Sequence, residues 1–249
     1  HAEVQNKMLV MPLEHYGESA AMPNIGNNLT SLNKVITSRA ELLAIDGGVL
    51  ATDTASASNA LGKIYGNERF TAASYLDATI DFGAGYASGN VRSLTLTLLN
   101  NMIRNLRLAG GSPKVILTGY DTLQVLSDLL QAQERFMDRK EIVPTVNGVR
   151  GVKGAEVGFR VSTYYDIPLI PVAAMPSTGN NSSLISDMLF LDTDHLWLSV
   201  MKPTQYFEDG ISNGNPFGVG SLGNKALYRT MGEMGCSYFK GQGKITNLL

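Results

Sequence analysis

The period of apolar positions changes most sharply within residues 112–133. Val115, Ile116 and Leu117 form an apolar run too short for a helix, bounded by Pro113 and Gly119, and predict a buried strand. Beyond Gly119, Leu123, Leu126, Leu130 and Met137 recur at helical spacing. Asp121 falls in the first turn of that helix, where a carboxylate can accept free backbone N–H groups. Upstream, Leu96, Leu99, Met102, Ile103 and Leu106 line one face of a second helix, with Ser93 as its cap and Gly110 and Gly111 as its stop. The centre of the chain therefore reads as helix, strand, helix. Such a unit is a scaffold and names no chemistry.

The flanks are less regular. Residues 1–30 intersperse polar residues with Gly17, Gly26, Pro12 and Pro23 and predict an extended arm without a core of its own, in which residues 8–11 could add one strand to a neighbour. Leu32, Val35, Ile36, Leu42 and Leu43 predict one short amphipathic helix, ended by Asp46, Gly47 and Gly48. Residues 51–63 read as a polar loop, and Gly83, Gly85 and Gly89 as a flexible connection. Later, residues 143–161 predict a hairpin or loop, followed by a strand at 156–163 and another at 169–172. Residues 188–191 and 196–200 read as strands on either side of Asp192, Thr193 and Asp194, in a hairpin turn. Residues 208–223 read as a Gly/Asn loop, with closing strands at 226–231, 233–239 and 244–248.

Composition narrows the class. The chain has 249 residues, 17% of them charged, and a net charge of −2, enough for one large domain or two small ones and without a nucleic-acid footprint. The single cysteine, Cys236, excludes an internal disulfide framework and a Cys-based zinc site. The polar start, residues 1–7, has no apolar segment of a signal peptide, and no apolar run reaches the roughly 20 residues of a membrane span. The expectation is a soluble chain that is not exported.

Candidate chemistry is sparse. Gly218, Gly220 and Gly223 match the dinucleotide fingerprint by letters, but they follow Asn215 and Pro216 and precede a strand-like run, so they read as a turn. Asp192, Asp194 and His195 could ligate a metal, yet further oxygen ligands are wanting nearby, and a capped turn explains them. His15 and His195 could serve a Ser/His/Asp assembly, although no Gly-x-Ser-x-Gly elbow is present. Cys236 reads as a small buried hydrophobe, and residues 135–140 as a solvated helix end. The sequons at Asn28, Asn180 and Asn181 matter only in a secretory pathway. No catalytic, cofactor-binding or metal residue is nominated, and no enzyme activity is expected.

Several stretches resemble the major capsid proteins of tailed phages, the Hong Kong 97-type shell fold, in its SU-ten-like branch. They are residues 94–99 and 110–123, which resemble that family's helix, strand and helix; 129–137, the end of its next helix; 191–198 and 202–208, strands leaving its axial domain; and 232–234 and 243–248, its closing strands. The resemblance implies an α+β chain with axial (A) and peripheral (P) domains and an extended N-terminal arm. It implies residues 1–30 as the arm, 31–92 as a peripheral-type region with connecting loops, 93–205 as the axial-type domain, and 206–249 as C-terminal strands returning to the peripheral domain. The family also places a long spine helix before the axial domain, and none is evident before Leu94. The implied function is a structural subunit that self-assembles into an icosahedral shell enclosing double-stranded DNA in a virion, made in the host cytoplasm. Its implied partners are other copies in pentamers and hexamers, a decoration protein, and packaged DNA held by non-specific contact, with no membrane and no cofactor. Two alternatives remain: an α/β hydrolase or ligand-binding enzyme built on the strand of Val115, Ile116 and Leu117, and an encapsulin-like compartment shell.

Overall fold

A computed structural model describes residues 2–10, 30–45, 63–65, 67–69, 75–83, 91–132, 139–140, 145–146, 149–150, 161–178, 184–210 and 224–249. The front carries helices α1 (Ala2–Leu9), α2 (Leu32–Val35) and α3 (Arg39–Ile45), then strands β1 (Lys63–Ile64), β2 (Asn67–Glu68) and β3 (Thr79–Asp81). The centre is α4 (Leu96–Leu108), β4 (Val115–Thr118) and α5 (Tyr120–Ala132). Short strands follow: β5 (Arg139–Lys140), β6 (Thr145–Val146), β7 (Val149–Arg150), β8 (Val161–Tyr164), β9 (Ile167–Pro171) and β10 (Met188–Leu191). The chain closes with β11 (Leu196–Gly210), β12 (Asn224–Cys236) and β13 (Gly243–Ile245).

The fold class is mixed α+β. Seven strands form one sheet in the order β3-β13-β10-β4-β9-β8-β5, with β4 beside β10 antiparallel and beside β9 parallel. Successive strand residues face opposite ways, so the sheet has two cores. Ile116, Met188 and Phe190 point to one face, where Leu99, Met102, Ile103 and Leu106 of α4 and Leu126 and Leu130 of α5 cover them. Leu189 and Leu191 point to the other, against Val10, Val35, Ile36, Met175, Cys236 and Phe239.

The helix–strand–helix unit forms as its pattern predicts. The cap of α4, however, is Thr95, whose side chain accepts from the Leu98 amide, not Ser93. The helix ends where expected: Gly110 adopts a φ of +89°, and the Gly111 amide closes onto the Leu106 carbonyl at 2.9 Å. Asp121 stands in the first turn of α5 and receives the Ser186 amide at 2.8 Å, so it ties the helix to the loop before β10. Burial would push its carboxyl up, but hydrogen bonds from Ser186 and nearby amides prevail and hold it low.

Several expectations are corrected. Residues 2–9 are a helix, so residues 8 and 9 of the strand expected at 8–11 are helical instead. Val10 is buried in the chain's own second core and its carbonyl receives the Asn33 side-chain amide at 3.2 Å, so the front is not without a core. The single helix expected over 31–47 divides into α2 and α3, because Thr37 and Ser38 turn the chain and the Ser38 hydroxyl receives the Glu41 amide. Arg139 and Lys140 lie in a strand against Ser162 and Val161, not at a helix end. The loop expected from 208 and the break expected near 232 give way to two long paired strands, β11 and β12. The division drawn at residue 205 falls inside β11. The closing strand β13 joins the central sheet between β10 and β3, so the C-terminal strands do not all leave that sheet. Met137, residues 11–29, 51–62 and 211–223, and the sequons at Asn180 and Asn181 lie outside the described residues.

Candidate assembly surface

The residues that suggested catalysis or metal binding serve as structural ties. Asp192 is buried; its carboxylate receives the Ser112 amide at 3.0 Å and the Asp194 amide at 3.3 Å. Its backbone is bracketed by Gln242, which accepts from the Asp192 amide and donates to the Asp192 carbonyl. Asp194 pairs with Lys114. These contacts form a turn, but it joins two different sheets, so the expected hairpin is corrected to a corner between β10 and β11. His195 meets the Ser237 hydroxyl through Nδ1 at 3.0 Å, and its ring stands edge-on to Tyr238. Both aspartates are engaged elsewhere, and among the described residues no carboxylate hydrogen-bonds to His195. Burial pushes the Cys236 thiol up to about 11, which leaves it a neutral, poorly nucleophilic group. Among the described residues no three His, Cys, Asp or Glu side chains gather as a metal site. None of the described helices is long and apolar enough to cross a membrane. His15 and the Gly218 to Gly223 stretch lie outside the described residues.

What stands out instead is a surface. Among the described residues β11 and β12 pair only with each other, from Leu196 opposite Cys236 to Gly210 opposite Asn224. At about 3.3 Å per residue, the fifteen residues of β11 make a ribbon roughly 45 Å long. Its root is anchored by Leu196, Met234 and Cys236 in the second core and by the Thr30 amide on Glu233 at 2.8 Å. Trp197 sits over Gly235, where an added Cβ would meet the indole at 2.4 Å. Beyond the root, residues 198–208 and 226–229 are exposed, on both faces of the ribbon.

The two faces differ. Leu198, Val200, Thr204 and Tyr206 share one face with Gly232, Thr230 and Tyr228 of β12. On it the Thr204 and Thr230 hydroxyls meet at 2.8 Å and the Tyr206 and Tyr228 rings lie 5.1 Å apart. Gln5 and Leu9 of α1 border the same face and leave an apolar groove of about 330 Å³. The opposite face carries Trp197, Lys202, Gln205 and Phe207, with the Arg229 guanidinium 5.0 Å above the Phe207 ring. A two-stranded ribbon is marginal alone in water, and a patch this apolar is unusual unless a partner covers it.

Sequence reasoning missed this surface because the strand expected from 196 was ended at 200 and a loop was expected from 208, at the far end of β11. The signal was there: Tyr206 and Phe207 precede, and Leu227 and Tyr228 follow, the turn-forming run 210–223.

The described residues build a sheet-and-helix body with a long exposed ribbon that carries apolar side chains. The model of the family described as SU10 major capsid protein matches residues 36–215, and the chain belongs to that family. Membership makes it a viral capsid protein with a structural role. No curated protein sequence matches the chain. Among solved structures, the holo-SrpI encapsulin complex from Synechococcus elongatus PCC 7942 is similar at a TM-score of 0.44 and 8% identity, over 68% of this chain and 53% of that one. The chain thus spans about half the length of that protein.

Proposed function

We propose that this chain is a major capsid subunit that self-associates into an icosahedral shell of the Hong Kong 97 type, enclosing double-stranded DNA in a virion. The observation that carries the reading is the free-standing ribbon of β11 and β12, exposed on both faces in a chain of a capsid family. Shell symmetry lets many modest contacts act together, so no single interface need be strong.

In this reading the sheet of β4 and its helices is the axial-type part, drawn mainly from residues 93–205 with β3 and β13 added at one edge, and the ribbon belongs with the peripheral-type part. The front of the chain serves as an arm toward a neighbour beyond the point where Val10 is held. Pentamers and hexamers are the expected assemblies, with packaged DNA touched non-specifically and a decoration protein as a further partner. The net charge of −2 supports confinement of DNA over tight binding by the free subunit.

Size-exclusion chromatography with electron microscopy of the purified chain tests the proposal. Closed particles are expected, and nuclease-protected DNA inside them in infected cells. Particles that enclose a protein cargo instead would establish the compartment shell. A monomer at all concentrations, with turnover of a small substrate, would establish an enzyme and overturn the reading.

A further inference from the structure

Residues 82–120 contain no acidic residue, although Asp and Glu number 22 in the whole chain. The same stretch carries four bases, Arg92, Arg104, Arg107 and Lys114. The fold brings an acid to two of them: Arg92 pairs with Asp81, and Lys114 with Asp194. Arg104 and Arg107, one helical turn apart on α4, are exposed and form no ion pair or hydrogen bond among the described residues. They line a cavity of about 350 Å³ with Asn100, Ile103, Leu108 and Tyr165, none of them acidic. The polar groups here can all donate. Tyr164 donates to Asn100 Oδ1 at 2.6 Å, so the amide NH2 is what Asn100 has left to offer. The Tyr165 hydroxyl and the two guanidiniums complete the set.

Donors and positive charge without a carboxylate suit phosphate oxygens, which accept from arginine forks, amides and hydroxyls. Thr97 and Asn101 continue the exposed stripe of α4 with uncharged polar groups. From Thr97 to Arg107 the surface runs about 15 Å at 1.5 Å per residue, more than one phosphate group occupies. A polymer of phosphates fits that length, and the shell reading supplies one. We propose that this face of α4 meets the phosphate backbone of the packaged duplex DNA, so that the α4 layer faces the interior of the shell. The proposal rests on the shell reading and adds to it a face and two arginines. The sheet separates this face from the ribbon: α4 covers the core that holds Met188 and Phe190, whereas the ribbon roots in the core that holds Leu189 and Leu191. A subunit can then meet its neighbours through one layer and DNA through the other.

R104Q/R107Q removes both charges, and R104K/R107K keeps them. Both variants are expected to melt like the parent and to give particles in the parent's yield, because the two side chains are exposed and lie away from the ribbon. Fluorescence anisotropy of a short DNA duplex with dissociated subunits at low salt reads the contact. The parent should bind weakly, with an affinity that falls as salt rises. R104Q/R107Q should bind at least about tenfold more weakly and lose about two from the salt slope, one for each phosphate given up, while R104K/R107K keeps most of the slope. The duplex should not bind closed, empty particles of the parent. Equal affinity and slope in the parent and R104Q/R107Q overturns the contact and leaves the shell reading intact. A loss in R104K/R107K as large as in R104Q/R107Q makes the effect one of structure and overturns it. Inorganic phosphate that displaces the duplex as readily as an equal concentration of duplex phosphate assigns the cavity to a small anion and overturns it. Duplex that binds closed particles through Arg104 and Arg107 puts α4 outside and overturns the inward placement. A parent that never assembles overturns the shell reading and the inward placement together.

Discussion

Lys244 Nζ lies 2.7 Å from Glu41 Oε1, and both side chains are sealed from solvent. The pair joins α3, near the front, to β13, near the end, and Thr37 donates to the other Glu41 oxygen at 2.6 Å. Removing one partner leaves the other charge buried and alone, which costs far more than the pair contributes. Lys244→Met should therefore lower unfolding free energy by about 3–5 kcal/mol, while Lys244→Met with Glu41→Leu should recover most of the loss. Urea unfolding of the subunit reads both. Equal losses in the single and double variants would show that the charges themselves stabilise the fold.

Asp187 lies beside this pair and is fully buried; burial pushes its carboxyl up to about 7. The Thr178 amide and hydroxyl both donate to it, and the Lys244 charge lowers it while the Glu41 charge raises it. An unfolded aspartate releases its proton near pH ~4, so the native state holds a proton that the unfolded state gives up. The stabilisation from this group is complete below that pH and is lost as pH rises through about 7. Asp187→Asn should flatten the fall in stability across that window. An unchanged pH profile would place the titration elsewhere.

Leu126 is 0% exposed on the face of α5 that covers the central sheet. Leu126→Asp puts an unpaired charge there and should cost several kcal/mol, on the order of 4 or more, enough to abolish soluble folded subunit. A variant with the parent's melting curve would contradict the packing of α5 on the sheet.

Val10 ties the front helix to the second core. Val10→Ser should lower subunit stability by ~1–3 kcal/mol, the scale of losing buried methyl groups. Proteolysis should then cut near residue 10 faster in the variant than in the parent. No change in either would show that the front is held only by a neighbour.

How far the fold was legible in the sequence varies with the element. The unit of α4, β4 and α5 was legible because its information is local: Leu96 to Leu106 at helical spacing, a short apolar run, then Gly119 and a new helical stripe. The pairing of β13 with β10 was not, because nothing near Gly243 points to Phe190, more than fifty residues away. The buried charges were missed for a similar reason. Lys244 and Glu41 each read as surface residues until the fold brings them together. Asp192 and His195 were legible as a turn, but not as a corner between sheets, since a turn's residues do not say where the next strand pairs.

The central claim is that the apolar face of the ribbon assembles the chain. Tyr206→Lys with Tyr228→Lys places two charges on that face, where the rings are exposed in the single chain. Sedimentation velocity of parent and variant, each with a melting curve, measures the outcome directly. The account predicts closed particles from the parent, and folded subunits of unchanged melting temperature from the variant. Particles from the variant in the parent's yield, or a parent that stays monomeric, would contradict it.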